Sequence, residues 1–184
     1  MVKAAAVVTG DGAELQSLLD GMFFGEIPNF SLSAVVATES GSAAGARAER
    51  SNIPAYVVDA AIFPNSATFT RALTAKLQDL DIELAILVGL SPDPEEPFFR
   101  LYSGRCVCMR LDEPCEAAAA RGCGEITATF LLADAAGSEA RRFGRVSAEV
   151  HRGDTAKTLR RRLVENGAGQ LLSDAVKQFM RDFH

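Results

Sequence analysis

The chain has 184 residues, enough for one well-buried domain, and its 48% hydrophobic and 23% charged residues are those of an ordinary globular protein. Acidic residues outnumber basic ones by 24 to 19, a net charge of −5 that argues against a general nucleic-acid surface. No apolar run approaches the ~18 residues of a membrane span, and the absence of tryptophan with only two histidines narrows the catalytic repertoire.

The first element is a short apolar run over residues 3–8 (K-A-A-A-V-V), the pattern of a parallel strand buried on both faces. Thr9-Gly10-Asp11-Gly12-Ala13-Glu14 follow, and Leu15, Leu18 and Leu19 then have helical spacing. The opening twenty residues therefore read as strand, glycine turn and helix. In an open parallel sheet, ligands bind where such a helix N-terminus faces the strand ends. The turn lacks the third glycine of a dinucleotide fingerprint and the Gly-Lys-Ser/Thr of a P-loop. Glu14, read in the first helical turn, favours the helix dipole and would repel a phosphate. The stretch reads as a degraded phosphate site, with a plain βα connection as the alternative.

Further strands are predicted over 30–37 and 55–58, separated by a turn over 38–42 and a short helix over 43–51. A helix over 65–80 carries Phe69, Ala72, Leu73 and Leu77 on one face, and the strongest strand, 82–88, ends at Gly89. Alternating strands and helices imply βαβ units and a parallel sheet with right-handed crossovers. Three prolines within 91–97 exclude a long helix there. A short helical piece at 98–102, with Phe98 and Phe99 as core residues, precedes a strand over 105–109. The alanine run at 117–120 is a short helix ended by Gly122. Strands over 126–132 and 144–150 are split by a polar loop over 133–143. The last helix starts at about residue 156 behind Asp154 or Thr155 as N-cap, with a soft spot at Gly167 and Gly169. No repeat or linker divides the chain, so a single domain, 1–184, is expected.

Cys106 and Cys108 alternate on a strand and share a face. With Cys115 and Cys123 they match no standard zinc module, so no metal is expected; they read as small buried residues. Cys108 beside Arg110 is the candidate reactive thiol, because a neighbouring cation lowers a thiol pKa. The strand-like start predicts no signal peptide, and four cysteines without one predict reduced thiols and a cytoplasmic protein. Arg160, Arg161 and Arg162 read as a solvated helix face, whereas Arg141 and Arg142, in the polar loop, could clamp an anion.

Three stretches carry a family resemblance: residues 8–20 (V-T-G-D-G-A-E-L-Q-S-L-L-D), residues 83–89 with Tyr102-Ser103-Gly104-Arg105, and residues 124–130 with 146–155. In order and spacing, over nearly the whole chain, they resemble the phosphoribosylglycinamide formyltransferases, which move a formyl group from 10-formyltetrahydrofolate in purine synthesis. The family's Asn-x-His-Pro motif is absent. Counting from Gly104-Arg105 places Cys108 at the Asn position and Arg110 at the His position. Ala140 is the ungapped match to the catalytic Asp, with Glu139 one residue away, and Ala13-Glu14 replace a Ser-Asn pair. Formyl transfer requires stabilisation of a tetrahedral oxyanion and movement of protons. An arginine does not deprotonate in proteins and a thiol is a weak donor, and neither His151 nor His184 is near the motif.

The resemblance implies a three-layer α/β, Rossmann-like fold with a mostly parallel sheet of about seven strands. Functionally it implies a divergent relative without the Asn/His/Asp set, inactive in ordinary formyl transfer. Cys108, Arg110 and Glu139 are the degenerate catalytic positions. A small anionic or nucleotide-like ligand is expected in the cleft at the carboxyl ends of the first and fourth strands, near Gly10, Asp11, Gly12, Ala13, Glu14, Gly89, Arg141 and Arg142. The rivals are an active formyltransferase with a substituted site, an enzyme using Cys108 as nucleophile, and a structural or regulatory subunit. 10-Formyltetrahydrofolate is expected only if the family activity is retained. No nucleic-acid or membrane partner is expected, and a homodimer is left open.

Overall fold

The computed structural model describes residues 1–183. Seven strands form one sheet in the order β3-β2-β1-β4-β5-β6-β7. They are β1 (Val2–Val8), β2 (Phe30–Ala37), β3 (Ala55–Val57), β4 (Leu84–Val88), β5 (Cys106–Leu111), β6 (Glu125–Ala133) and β7 (Glu139–Glu149). β1 to β5 pair in parallel, and β6 and β7 are added antiparallel. The helices are α1 (Leu15–Phe23), α2 (Ala43–Arg50), α3 (Ser66–Asp79), α4 (Glu96–Leu101), α5 (Cys115–Arg121), α6 (Ala156–Glu165) and α7 (Ala168–Asp182).

The alternation of side chains along each strand divides the core into two layers. Ala4, Ala6 and Val8 of β1 face α1, α2, α5, α6 and α7, and pack with Leu15, Leu18, Ala44, Leu159 and Leu172. Ala5 and Val7 face α3 and α4, with Phe69, Leu73, Leu77, Phe98 and Phe99. This is the expected three-layer α/β arrangement. Because strand order reverses between β1 and β4, a crevice opens at their carboxyl ends, where ligands bind in open α/β sheets.

Two expectations are corrected. Residues 139–143 belong to β7 and not to a polar loop. The loop is a tight hairpin in which Asp134 Oδ1 accepts from the Ala136 and Ser138 amides, both at 2.8 Å, and Gly137 takes φ +79°. β7 is an edge strand whose first four residues are exposed, so its start lacks the apolar alternation that marks a half-buried strand. The terminal helix is two helices, broken where Gly167 takes φ +111°.

The start of α6 is fixed by polar side chains. Thr155 and Thr158 form a reciprocal capping box. The Arg162 fork grips Asp154 at 2.7 and 2.9 Å, and Asp154 also accepts from the His151 amide at 2.7 Å. Hydrogen bonding by Arg162, first, and then by the His151 amide holds the Asp154 carboxyl well below its usual value of 3.8. A depressed folded-state pKa stabilises above the unfolded value and is lost as pH falls through the folded one. The Asp154→Asn variant is therefore expected to be less stable than wild type near neutrality. The gap between their denaturant midpoints should close as pH falls below about 4.

Cys106, Cys108 and Cys115 are buried and Cys123 is exposed. In the α3–α4 layer the Cys106 and Cys108 sulfurs lie 3.5 Å apart, and burial pushes the Cys106 thiol well above its usual range. A thiol reagent applied to the native protein is expected to label Cys123 alone, with the three buried cysteines reacting only after denaturation. Native-state labelling of Cys108, read by mass spectrometry, would contradict this burial.

Candidate functional site

The carboxyl edge of the sheet carries the crevice between β1 and β4, and Arg160 of α6 lies across it. Its Nη1 donates to the Thr9 carbonyl at 2.9 Å and its Nη2 to the Gly89 carbonyl at 3.4 Å. Residue 160 is one helical step from Leu159, which is fully buried against the sheet, so its long side chain runs along the strand ends. The expectation of a solvated arginine face is corrected: Arg160 enters the crevice, Arg162 anchors Asp154, and Arg161 alone stays on the surface with Glu165. The sequence signal was its place, five residues after Thr155, in the first turns of a helix that begins at the strand ends.

Two cavities flank Arg160. On the α2 side is a groove of about 370 Å³ lined by Gly10, Asp11, Glu39, Ser42, Lys157 and Arg160 among others. The first residues of α2 and α6 reach it, Ser42 and Ala43 from one and Ala156 and Lys157 from the other. Helix N-termini carry partial positive charge. Ser42 caps α2 and also donates to the Gly10 carbonyl at 2.5 Å. On the β5 side is a pocket of about 130 Å³ lined by Gly89, Ser91, Asp93, Arg110, Glu113 and Arg160 among others.

Of the expected ligand residues, Gly10 and Asp11 line the groove and Gly89 lines the smaller pocket. Gly12 is buried; a Cβ there would meet the Ala44 methyl at 3.1 Å, so this glycine admits α2 and not a ligand. Ala13 faces a separate hollow beside Lys157 and Arg161. The turn satisfies its own amides: Asp11 Oδ1 accepts from Ala13, the Gly12 carbonyl from Leu15, and the Ala13 carbonyl from Gln16. Glu14 is at the N-cap position of α1 and not in its first turn, makes no capping side-chain hydrogen bond, and is 1% exposed. Burial pushes its carboxyl above the usual carboxylate range.

The expected cluster of Cys108, Arg110 and Glu139 does not assemble. Cys108 is 1% exposed and turned into the α3–α4 core. Arg110, two residues on and at the end of β5, emerges over the Phe99 ring and lies 3.7 Å from Asp93. Partial burial raises the Asp93 carboxyl, with Arg110 opposing. Glu139 pairs with Ala133, whereas Arg110 is opposite Thr129. Four residues of β6 separate the two levels, about 13 Å at the rise of a strand. Arg141 and Arg142 are displaced in the same direction but less far, opposite Leu132 and Leu131, three and two residues from Thr129, and are paired with Asp182 and Glu139. The carboxylate that accompanies Arg110 is therefore Asp93, which no sequence spacing had singled out. Among the described residues no group of three or more His, Cys, Asp or Glu side chains is arranged to hold a metal ion, and no helix is long and apolar enough to cross a membrane.

No known protein-family profile matches the chain. It is similar to the human trifunctional purine biosynthetic protein adenosine-3, 27% identical over 105 residues, which are 56% of this chain and 10% of that protein. It is also similar to the phosphoribosylglycinamide formyltransferase of Haemophilus influenzae, 27% identical over 105 residues, 57% of this chain and 49% of the relative. The matched region thus spans about a tenth of the trifunctional protein and about half of the bacterial one. Among solved structures it is similar to glycinamide ribonucleotide transformylase 1 of Symbiobacterium toebii, with a TM-score of 0.75 and 24% identity over 99% of this chain and 89% of that one. The chain has the α/β formyltransferase fold.

Proposed function

We propose that this protein binds a small anionic, nucleotide-like ligand in the groove beside Arg160 and does not carry out ordinary formyl transfer. The observation that carries the reading is the convergence of Arg160, Lys157 and the first residues of α2 and α6 on one groove. Arginine and lysine beside positive helix ends suit a phosphate. Asp11, Glu39 and Glu116 line the same groove. They accept hydrogen bonds, so they suit a ligand with hydroxyl donors beside its phosphate, such as a sugar phosphate or nucleotide.

Against formyl transfer, the end of β5 offers a guanidinium that cannot take a proton, and Glu139 lies four residues of β6 further down the sheet. The alternative is an active phosphoribosylglycinamide formyltransferase with a substituted site. It is favoured by the similarity to proteins named for that activity and by Asp93, a carboxylate of raised pKa beside Arg110 in the smaller pocket.

Ribose 5-phosphate is expected to raise the melting temperature of the wild type, with a stabilisation of about 2.7 kcal/mol at a hundred times its Kd. Arg160→Ala or Lys157→Ala should weaken that binding by roughly ten- to a hundredfold, the worth of one charge-assisted hydrogen bond. No thermal shift with ribose 5-phosphate or a nucleoside monophosphate would overturn the ligand assignment. In an assay with glycinamide ribonucleotide and 10-formyltetrahydrofolate, no turnover is expected. Turnover that Asp93→Asn and Arg110→Ala abolish would establish the alternative.

A further inference from the structure

The groove beside Arg160 has two unlike walls. One is α6, which contributes Lys157 and Arg160. The other is the connection from β2 into α2, which contributes Glu39, Ser42 and Ala43, and Gly10 and Asp11 come from the turn after β1. The other two carboxylates of the groove are placed differently from Glu39. Asp11 Oδ1 is already taken by the Ala13 amide at 3.1 Å. Glu116, in the first turn of α5, goes with Arg160, since the two together also line the smaller pocket.

The connection that carries Glu39 is fixed on both sides of it. Before it, the buried Thr38 donates its amide to the Val8 carbonyl at 3.0 Å, and its hydroxyl lies 2.7 Å from that of Thr9. After it, the Ser40 amide and hydroxyl both donate to Asp59 Oδ2, at 3.2 and 2.6 Å. Ser42 then donates to the Gly10 carbonyl at 2.5 Å and caps α2. The polar contacts of the connection are made by Thr38, Ser40 and Ser42. The Glu39 side chain is exposed between them, with no hydrogen-bond or ion-pair partner among the described residues. Its backbone is held while its carboxylate is free to accept, which lowers the ordering cost of binding.

The topology gives that position a meaning. β3-β2-β1-β4-β5 is the doubly wound strand order in which an acidic residue, placed beyond the first βα unit, accepts from the ribose 2-hydroxyl. Glu39 stands two residues past the end of β2. We propose that Glu39 selects the sugar: its carboxylate accepts from the C2 hydroxyl of a ribose whose 5-phosphate lies on Lys157 and Arg160. The assignment rests on the reading of the groove as a sugar-phosphate site and narrows its ligands to ribose phosphates over deoxyribose phosphates. A carboxylate in a phosphate site also repels the anion, but it repels every phosphate alike. Selection and repulsion therefore act in opposite directions on a ribose ligand.

Calorimetric titration of the full chain with ribose 5-phosphate, 2-deoxyribose 5-phosphate and inorganic phosphate tests this. Wild type is expected to bind ribose 5-phosphate about tenfold more tightly than the deoxy sugar, the worth of one hydrogen bond to a charged acceptor. Glu39→Ala should weaken ribose 5-phosphate by about that factor, bind 2-deoxyribose 5-phosphate at least as well as wild type does, and so lose the preference. Its ligand-free melting temperature should match that of wild type, since the side chain has no partner to lose. The assignment is overturned if wild type binds the two sugars equally, if the preference survives in Glu39→Ala, or if Glu39→Ala binds both sugars more tightly, the mark of repulsion alone. Inorganic phosphate separates the two readings. Binding of all three ligands without a sugar preference sinks the role of Glu39 alone; binding of none sinks the sugar-phosphate reading of the groove and the role of Glu39 with it.

Discussion

A guanidinium on the carbonyl ends of β1 and β4 organises the part of this molecule where a ligand would lie. Parallel strands end in carbonyls that need donors once buried, and here Arg160 supplies them to Thr9 and Gly89. That contact has preconditions on both sides. α6 must begin at the carboxyl edge, which the capping box and the Asp154–Arg162 fork secure. Positions 10 and 89 favour glycine, because both have positive φ and a Cβ there would crowd the guanidinium at 3.2 and 3.0 Å. The cavities on either side are consequences of where this one side chain runs.

β5 shows how strand geometry selects among neighbouring candidates. Cys106, Cys108 and Arg110 share a face, yet only the last has passed the end of the buried region; Cys108 is enclosed in the α3–α4 core while Arg110 reaches the pocket. The antiparallel pairing of β6 and β7 then carries Glu139, Arg141 and Arg142 down the sheet, away from Arg110. The proline-rich segment before α4 brings Asp93 up in their place. A thiol, a guanidinium and a carboxylate that look adjacent in a strand-by-strand reading are thus distributed between the core, the pocket and the far end of an edge strand.

The glycine turn after β1 directs its hydrogen-bonding capacity inward. Asp11 and the Gly12 and Ala13 carbonyls accept from amides within the turn and first helical residues, and Gly12 serves the approach of α2. Positive charge at the carboxyl edge comes instead from α6, through Arg160 and Lys157. Glu14 stands apart in this arrangement, a carboxyl buried without a hydrogen-bond partner for one oxygen.

The sequence by itself determined the layered α/β architecture, since apolar runs, helical spacing and turn residues are local signals that survive folding. The strand over 30–37 was readable to the residue and the cap of α6 to within Asp154 or Thr155, of which the structure takes Thr155. The resemblance to the formyltransferases was also readable, with Cys108 and Arg110 at the positions where that resemblance expects Asn and His. Only the tertiary structure decided which charges meet. The extent of β7 depended on pairing with β6, because an exposed edge strand has no apolar alternation of its own. The burial of Glu14 depended on the helices packed around it. The path of Arg160 from a run of three arginines into the crevice depended on the angle at which α6 meets the strand ends. Periodicity reports which face of an element is buried, whereas a site is made by side chains from elements distant in sequence, and their meeting is set by packing.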